Sequence, residues 1–126
     1  MSRQTNRGLT DAELRLMNVL WEKGAGTVSE VVEALPKSVP LAYSTVLTTL
    51  RILENKGYLA HRQEGRAFIY RPVIGRDQAR QSAVSYLVRR FFDGSRDQLV
   101  LRLLEDKGID ARELKRLRRL IEEDKS

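Results

Sequence analysis

Hydroxyl side chains cluster at the start of the stretch PLAYSTVLTTLRILENKG, which spans residues 40–57. The candidates for chemistry are Tyr43, Ser44, Thr45 and Thr48. An apolar stripe at helical spacing, formed by Val46, Leu50 and Leu53, predicts an amphipathic helix whose hydroxyls mostly point away from the stripe. When the N-terminal end of such a helix enters the major groove of DNA, these side chains can reach phosphates and base edges. Taken alone, the stretch fits an ordinary surface helix better, so the neighbouring elements decide the interpretation.

Two helices with matching start signals are predicted before this stretch. Each begins with a capping box, in which a threonine precedes a glutamate by three positions: Thr10 with Glu13, and Thr27 with Glu30. The apolar positions expected to face inward are Leu14, Met17, Leu20 and Trp21 in the first helix, and Val28, Val31, Val32 and Leu35 in the second. Glycines separate the two helices, and a proline-containing turn leads into the third. This order predicts a three-helix unit whose last two members form a helix-turn-helix.

The pattern then changes to that of a β-hairpin. Strands are predicted at residues 58–63 and 67–71, joined by a turn that contains Gly65. An isolated hairpin is marginally stable, so we expect it to pack on the helices through Phe68 and Tyr70. Three helices followed by a two-stranded wing is the order of a winged-helix domain.

Three arginines near the predicted hydroxyl face and wing are candidate DNA contacts: Arg51, Arg62 and Arg66. Arginine suits phosphate recognition because its planar guanidinium donates several hydrogen bonds at once. For the two wing arginines, solvated charges at a hairpin tip are an equally good interpretation of the sequence alone.

Composition favours a nucleic-acid partner and argues against catalysis. The 126 residues include 23 Lys and Arg against 17 Asp and Glu, for a net charge of +6. With no cysteine and His61 as the only histidine, a catalytic triad or a two-histidine metal site cannot be assembled within one chain. We therefore expect no enzyme activity, no cofactor and no metal. The absence of an 18-residue apolar run and of a signal peptide in the first ten residues predicts a cytoplasmic protein without membrane contact.

The C-terminal part, residues 74–126, reads as three further helices with more apolar surface than so short a segment can bury by itself. A homodimer interface is the better explanation, although a mini-bundle within one chain is the alternative. The expected dimerisation residues are Tyr86, Leu87, Phe91, Leu99, Leu101, Leu103, Leu104, Leu117, Leu120 and Ile121. The predicted architecture is mainly α with a small β-hairpin: a winged helix-turn-helix domain at residues 1–73, disordered at 1–9, followed by a helical dimerisation domain at 74–126.

The motifs LTDAELRLMNVLWEKG, TVSEVVEAL and AYSTVLTTLRILENKGYLAHRQEGRAFIYRP together resemble the penicillinase-repressor family of BlaI/MecI-type winged-helix repressors. The tail, with LVLRLLED, is similar to that family's dimerisation region. The resemblance implies a homodimeric bacterial repressor on a palindromic operator in double-stranded DNA. It further implies that Ser44, Thr45 and Thr48 face the groove and that Arg62 and Arg66 contact the DNA backbone.

Three departures from the family pattern bear on regulation. Ile52 stands where the family often has arginine, which removes one phosphate contact. The resemblance also implies a membrane-bound zinc protease as a sensor partner, which cuts between Asn and Phe in antibiotic-responsive members. The matching positions here are Arg102 and Leu103, so this route is in doubt. Copper-responsive relatives carry a C-terminal cysteine cluster that this chain lacks, so it cannot sense metal in that way.

The alternative is a winged-helix module that binds protein without specific DNA binding. Salt separates the two functions, because binding through several phosphates weakens steeply as salt rises and an apolar protein interface barely responds. The hydroxyl-rich helix start and the wing arginines favour DNA.

Overall fold

The computed structural model describes residues 8–105 and 110–125, and the chain divides into two compact units with a boundary between Tyr86 and Leu87. The first unit contains α1 (Asp11–Lys23), β1 (Gly26–Thr27), α2 (Val28–Ala34), α3 (Tyr43–Asn55), β2 (Leu59–Glu64) and β3 (Ala67–Pro72). Helix α4 (Arg76–Phe91) starts in the first unit and ends in the second, which also holds α5 (Arg96–Glu105) and α6 (Ala111–Lys125). The predicted fold class is confirmed. The expectation of disorder at residues 1–9 falls outside the described residues for positions 1–7.

Both predicted capping boxes form. At α1 the Glu13 amide donates to the Thr10 hydroxyl at 3.1 Å, and the Thr10 amide donates to the Glu13 carboxylate at 2.9 Å. The same pair of bonds joins Thr27 and Glu30 at α2, at 3.2 and 2.8 Å. These reciprocal bonds satisfy amides that a helix start otherwise leaves unpaired, and so fix where the two helices begin.

The core of the first unit lies between α1, α2, α3 and the inner face of the sheet. Its fully buried members are Leu16, Met17, Leu20, Val31, Val46, Leu50, Leu53, Tyr58 and Tyr70. The prediction that Leu14 faces inward is wrong: Leu16 takes that role, and Leu14 lines a surface cavity of about 370 Å³ instead. Trp21 packs against the core as predicted, and its indole N–H donates to the Ile74 carbonyl at 2.9 Å.

The sheet has three antiparallel strands in the order β1-β3-β2. The hairpin pairs from Leu59 with Pro72 out to Glu64 with Ala67, and Gly65 adopts φ +61° at the turn, where a side chain would be strained. Strand β1 was not predicted, because two residues are too short to show an alternating pattern. It pairs only with Ile69 and Tyr70, so the outer half of the hairpin is two-stranded.

An ion pair with little solvent exposure fastens the end of α3 to the start of α1. The Lys56 ammonium lies 2.8 and 3.0 Å from the two Glu13 carboxylate oxygens, and Glu13 is also the capping-box residue of α1. Because Glu13 is buried, the carboxylate depends on these partners for the hydrogen bonds that it loses from water. This contact sets the position of α3 on the body of the unit.

Helices α5 and α6 of the second unit each begin after a side-chain cap. The Gln98 amide donates to the Ser95 hydroxyl at 3.2 Å before α5, and the Glu113 amide donates to the Asp110 carboxylate at 2.9 Å before α6. Helix α5 has no buried residue in the single chain. The contact-based boundary falls inside α4, so a domain boundary at residues 73 and 74 stays a prediction. Among residues 8–105 and 110–125, no helix combines the length and apolar content needed to cross a bilayer.

Candidate nucleic-acid interface

Helix α3 has a buried back and an exposed N-terminal front. Val46, Leu50 and Leu53 are fully buried, whereas Ser44, Thr45 and Thr48 are exposed and Tyr43 is 53% exposed. The fifth hydroxyl residue of this region, Thr49, is buried and donates to the Thr45 carbonyl at 2.7 Å. The four residues singled out from the sequence are therefore the exposed ones of the five.

The start of α3 differs from the starts of α1 and α2. Its N-cap residue is Ala42, which has no polar side chain and makes no capping hydrogen bond. The first amides of α3 consequently have no side-chain acceptor at the N-cap, and the helix dipole adds partial positive charge at the same place. Such a terminus is suited to an anionic oxygen.

The two candidate arginines of the wing, Arg62 and Arg66, differ in their surroundings. The Arg62 guanidinium contacts the Glu64 carboxylate at 2.9 and 3.1 Å, so this charge is partly balanced within the strand. Arg66 follows Gly65 at the tip and is exposed. Of the two, Arg66 is the one that lies at the tip of the hairpin.

Arg51 lies on the exposed side of α3 and reaches the wing. Its guanidinium lies near enough to the Tyr70 hydroxyl of β3 to affect the pKa of that hydroxyl. Burial raises the pKa of Tyr70, the nearby Glu54 carboxylate raises it further, and the Arg51 charge opposes both effects. The role of Arg51 in DNA contact stays a prediction, and its charge lies beside Tyr70 of the wing.

A second contact between α3 and the wing was missed in the sequence. The Nδ1 atom of His61 on β2 lies 2.8 Å from both carboxylate oxygens of Glu54 on α3. The His61 ring also lies 4.6 Å from the Phe68 ring and 5.5 Å from the Tyr70 ring, centroid to centroid. No local pattern signals this pairing, because it depends on how the hairpin folds back on the helix.

The apolar residues expected at a dimer interface are at least partly exposed in the single chain. Phe91 is 69% exposed and Leu120 54% exposed, and Leu87, Leu101, Leu103, Leu104, Leu117 and Ile121 are exposed as well. Tyr86 and Leu99 are half-buried. Within residues 8–105 and 110–125, no group of three or more His, Cys, Asp or Glu side chains is arranged to hold a metal ion.

A helix-turn-helix, a wing and an exposed hydroxyl face on the third helix define the class of the protein as a winged-helix transcriptional regulator. The chain belongs to the penicillinase repressor family, whose model matches residues 9–123. The members of this family are transcriptional repressors and not enzymes, so the resemblance seen in the sequence and the expectation of no enzyme activity are both confirmed.

Individual relatives agree with this assignment. The chain is 32% identical to the penicillinase repressor of Bacillus licheniformis over 94% of this chain and 92% of that protein. It is 36% identical to the transcriptional regulator BlaI of Mycobacterium tuberculosis over 91% of this chain and 83% of that protein. The solution structure of the DNA-binding domain of the repressor BlaI matches with 37% identity and a TM-score of 0.50, covering 56% of this chain and 85% of that domain.

Proposed function

We propose that the protein is a cytoplasmic, homodimeric repressor that binds a palindromic operator, with α3 in the major groove and the wing on the DNA backbone. The observation that carries this proposal is the division of α3 into a fully buried apolar back and an exposed hydroxyl front. A groove-reading helix needs both, because the back fixes the helix to its domain while the front remains free for the duplex.

The residue roles follow from chemistry. Ser44, Thr45 and Thr48 donate to base edges or phosphates, and Thr methyl groups can contact a thymine methyl. Tyr43 and the first amides of α3 meet phosphate, and Arg51, Arg62 and Arg66 neutralise the DNA backbone. Affinity comes mainly from the release of condensed counterions, and sequence choice comes from the few base contacts.

A homodimer presents two copies of α3. In a two-fold pair they sit roughly 34 Å apart, one helical turn of DNA, or at a multiple of that distance. Repression then follows from occupancy of the promoter. The exposed apolar residues of α4, α5 and α6 supply the interface between protomers, since a stable dimer buries such surface.

Release from DNA through a sensor protease is the family-implied route. The matching bond, between Arg102 and Leu103, lies in α5 with both side chains exposed. A protease that acts here needs to accept arginine and leucine in place of asparagine and phenylalanine.

Footprinting on the DNA upstream of the protein's own gene tests the proposal. We expect a protected site with two-fold sequence symmetry and binding that weakens steeply with added salt. A protein that gives no protected site, and that binds a protein partner with little salt dependence, would instead be the winged-helix interaction module.

A further inference from the structure

Two charged side chains of α3 lie beside the wing at the same place. Arg51 and Glu54 are three residues apart and therefore share one side of α3. Their neighbours, Tyr70 and His61, are directly paired across the hairpin. The wing is thus joined to α3 by the Glu54–His61 pair, which lies beside the Arg51 charge and the buried Tyr70.

The chemistry of the Glu54–His61 pair fixes the orientation of the imidazole. An ionised carboxylate only accepts hydrogen bonds, so the Nδ1 atom of His61 carries the hydrogen. Both carboxylate oxygens lie at 2.8 Å, and the aromatic rings of Phe68 and Tyr70 limit rotation of the imidazole. These contacts restrict the His61 imidazole more than a single exposed ion pair would.

The outer hairpin needs such a constraint. Strand β1 supports β3 only at Ile69 and Tyr70, and beyond that point the hairpin has two strands and exposed side chains on β2. From there to the tip is about 12 Å, at roughly 3.3 Å per residue. A rotation of about 10° at the base moves the tip by about 2 Å, which is enough to break a hydrogen bond. The contacts at the base therefore decide where Arg66 lies.

We propose that Glu54 and His61 are positioning residues for DNA binding: they hold the wing at one angle to α3, so that the hydroxyl front and Arg66 engage the same duplex. This proposal rests on the proposed function above. It gives a role in DNA binding to two residues for which that function includes no DNA contact. It makes an unusual prediction for Glu54. Removing a carboxylate from a DNA-binding face should tighten binding if charge alone acts, whereas loss of a positioning contact weakens it.

The experiment measures affinity and salt slope on the footprinted operator by fluorescence anisotropy. We expect Glu54→Ala and His61→Ala each to weaken binding about five- to tenfold, the order expected for one lost phosphate contact. Each should also lower the salt slope by about 0.9, although neither removes a lysine or arginine. Glu22→Ala, an exposed carboxylate removed from α1, is the control and should not weaken binding.

A double-mutant cycle identifies the wing as the element affected. Arg66→Ala should weaken binding by a similar factor, and His61→Ala combined with Arg66→Ala should be no worse than the stronger single variant. His61→Asn should restore most of the affinity, because its amide N–H lies near the position of Nδ1. Melting temperatures close to that of the parent show that the fold is retained.

The outcomes distinguish failure of the positioning role from failure of the proposed repressor function. If Thr45→Ala and Arg66→Ala weaken binding but Glu54→Ala leaves it unchanged or tighter, the positioning role is overturned and the repressor function stands. Additive losses for His61→Ala and Arg66→Ala likewise overturn it. If the parent protects no operator, the proposed function fails and the positioning role falls with it.

Discussion

At the scale of single residues, Thr45 and Thr49 show how one turn of helix separates an exposed side chain from a structural one. Thr45 is exposed, while Thr49 is buried and its hydroxyl donates a hydrogen bond to the Thr45 carbonyl at 2.7 Å. Both are threonines on the same helix, so they form a matched pair for mutation.

We expect Thr45→Ala to weaken operator binding by about 1–3 kcal/mol, because it removes one groove contact and leaves the core untouched. Thr49→Val keeps the buried shape and should bind the operator like the parent. Gel-shift titration at fixed salt measures both. Equal affinity for Thr45→Ala and the parent would remove Thr45 from the interface.

Residue exposure on α3 could be predicted from spacing, because Val46, Leu50 and Leu53 fix which side of the helix is buried. The same reasoning failed on α1, where Leu14 fits a helical stripe but Leu16 is buried in its place. Several apolar positions on that helix allow more than one stripe, and tertiary packing selects among them. Partners such as Glu54 and His61 lie on different elements, so no spacing rule links them.

At the scale of elements, the three helices of the first unit differ in how they begin. Helices α1 and α2 start with complete capping boxes, whereas α3 starts at Ala42 without a side-chain cap. An N-cap residue without a side-chain acceptor lowers the free energy of unfolding, typically by about 1 kcal/mol relative to Ser, Thr, Asn or Asp. In the proposed function this lower stability is offset, because the first amides of α3 stay available to bind a DNA phosphate.

Ala42→Ser tests whether an N-cap hydroxyl raises stability and weakens operator binding at the same time. We expect the free energy of unfolding to rise by about 0.5–1 kcal/mol, because Ala42 already has the extended backbone of an N-cap residue. Operator binding should weaken at the same time, because the new hydroxyl competes for the amides. Urea denaturation and anisotropy measure the two effects.

Thr10→Ala is the control for this substitution. It removes the cap of α1 and should lower stability without changing operator affinity. If Ala42→Ser gains stability and binds DNA as tightly as the parent, the first amides of α3 take no part in recognition.

The succession of elements was also largely predictable, since capping boxes, the hairpin glycine and the change of period are local signals. Strand β1 was not, because Gly26 and Thr27 become a strand only by pairing with Tyr70 and Ile69 far along the chain. This pairing completes the sheet on the side of β3 opposite to β2, and so supports the base of the wing.

At the scale of the whole molecule, the remaining question is why the second unit exposes so many large apolar side chains. Leu114, Leu117 and Ile121 follow one another along α6 at helical spacing, with Leu120 beside them, and all are exposed in the single chain. Charged residues of both signs occupy most of the other positions of this helix, so its two faces differ strongly. In the proposed homodimer, a second copy of the chain with the same faces would bury the apolar side in both partners.

Leu120→Asp places a charge in this surface and tests the homodimer directly. Leu120 is 54% exposed in the single chain, so the variant should fold, but a buried charge at the interface should favour the monomer. Because two linked half-site contacts strengthen each other, loss of the dimer should lower affinity for the full operator by about 10²–10⁴-fold. Affinity for an isolated half-site should change little.

Val73→Asp is the matched control, because Val73 is 48% exposed and lies in the first unit, outside the proposed interface. Sedimentation velocity should show a dimer for the parent and for Val73→Asp, and a monomer for Leu120→Asp at the same concentration. A parent that sediments as a monomer, or a Leu120→Asp variant that remains dimeric with full operator affinity, would mean that the apolar side of α6 serves another purpose than joining two repressor chains.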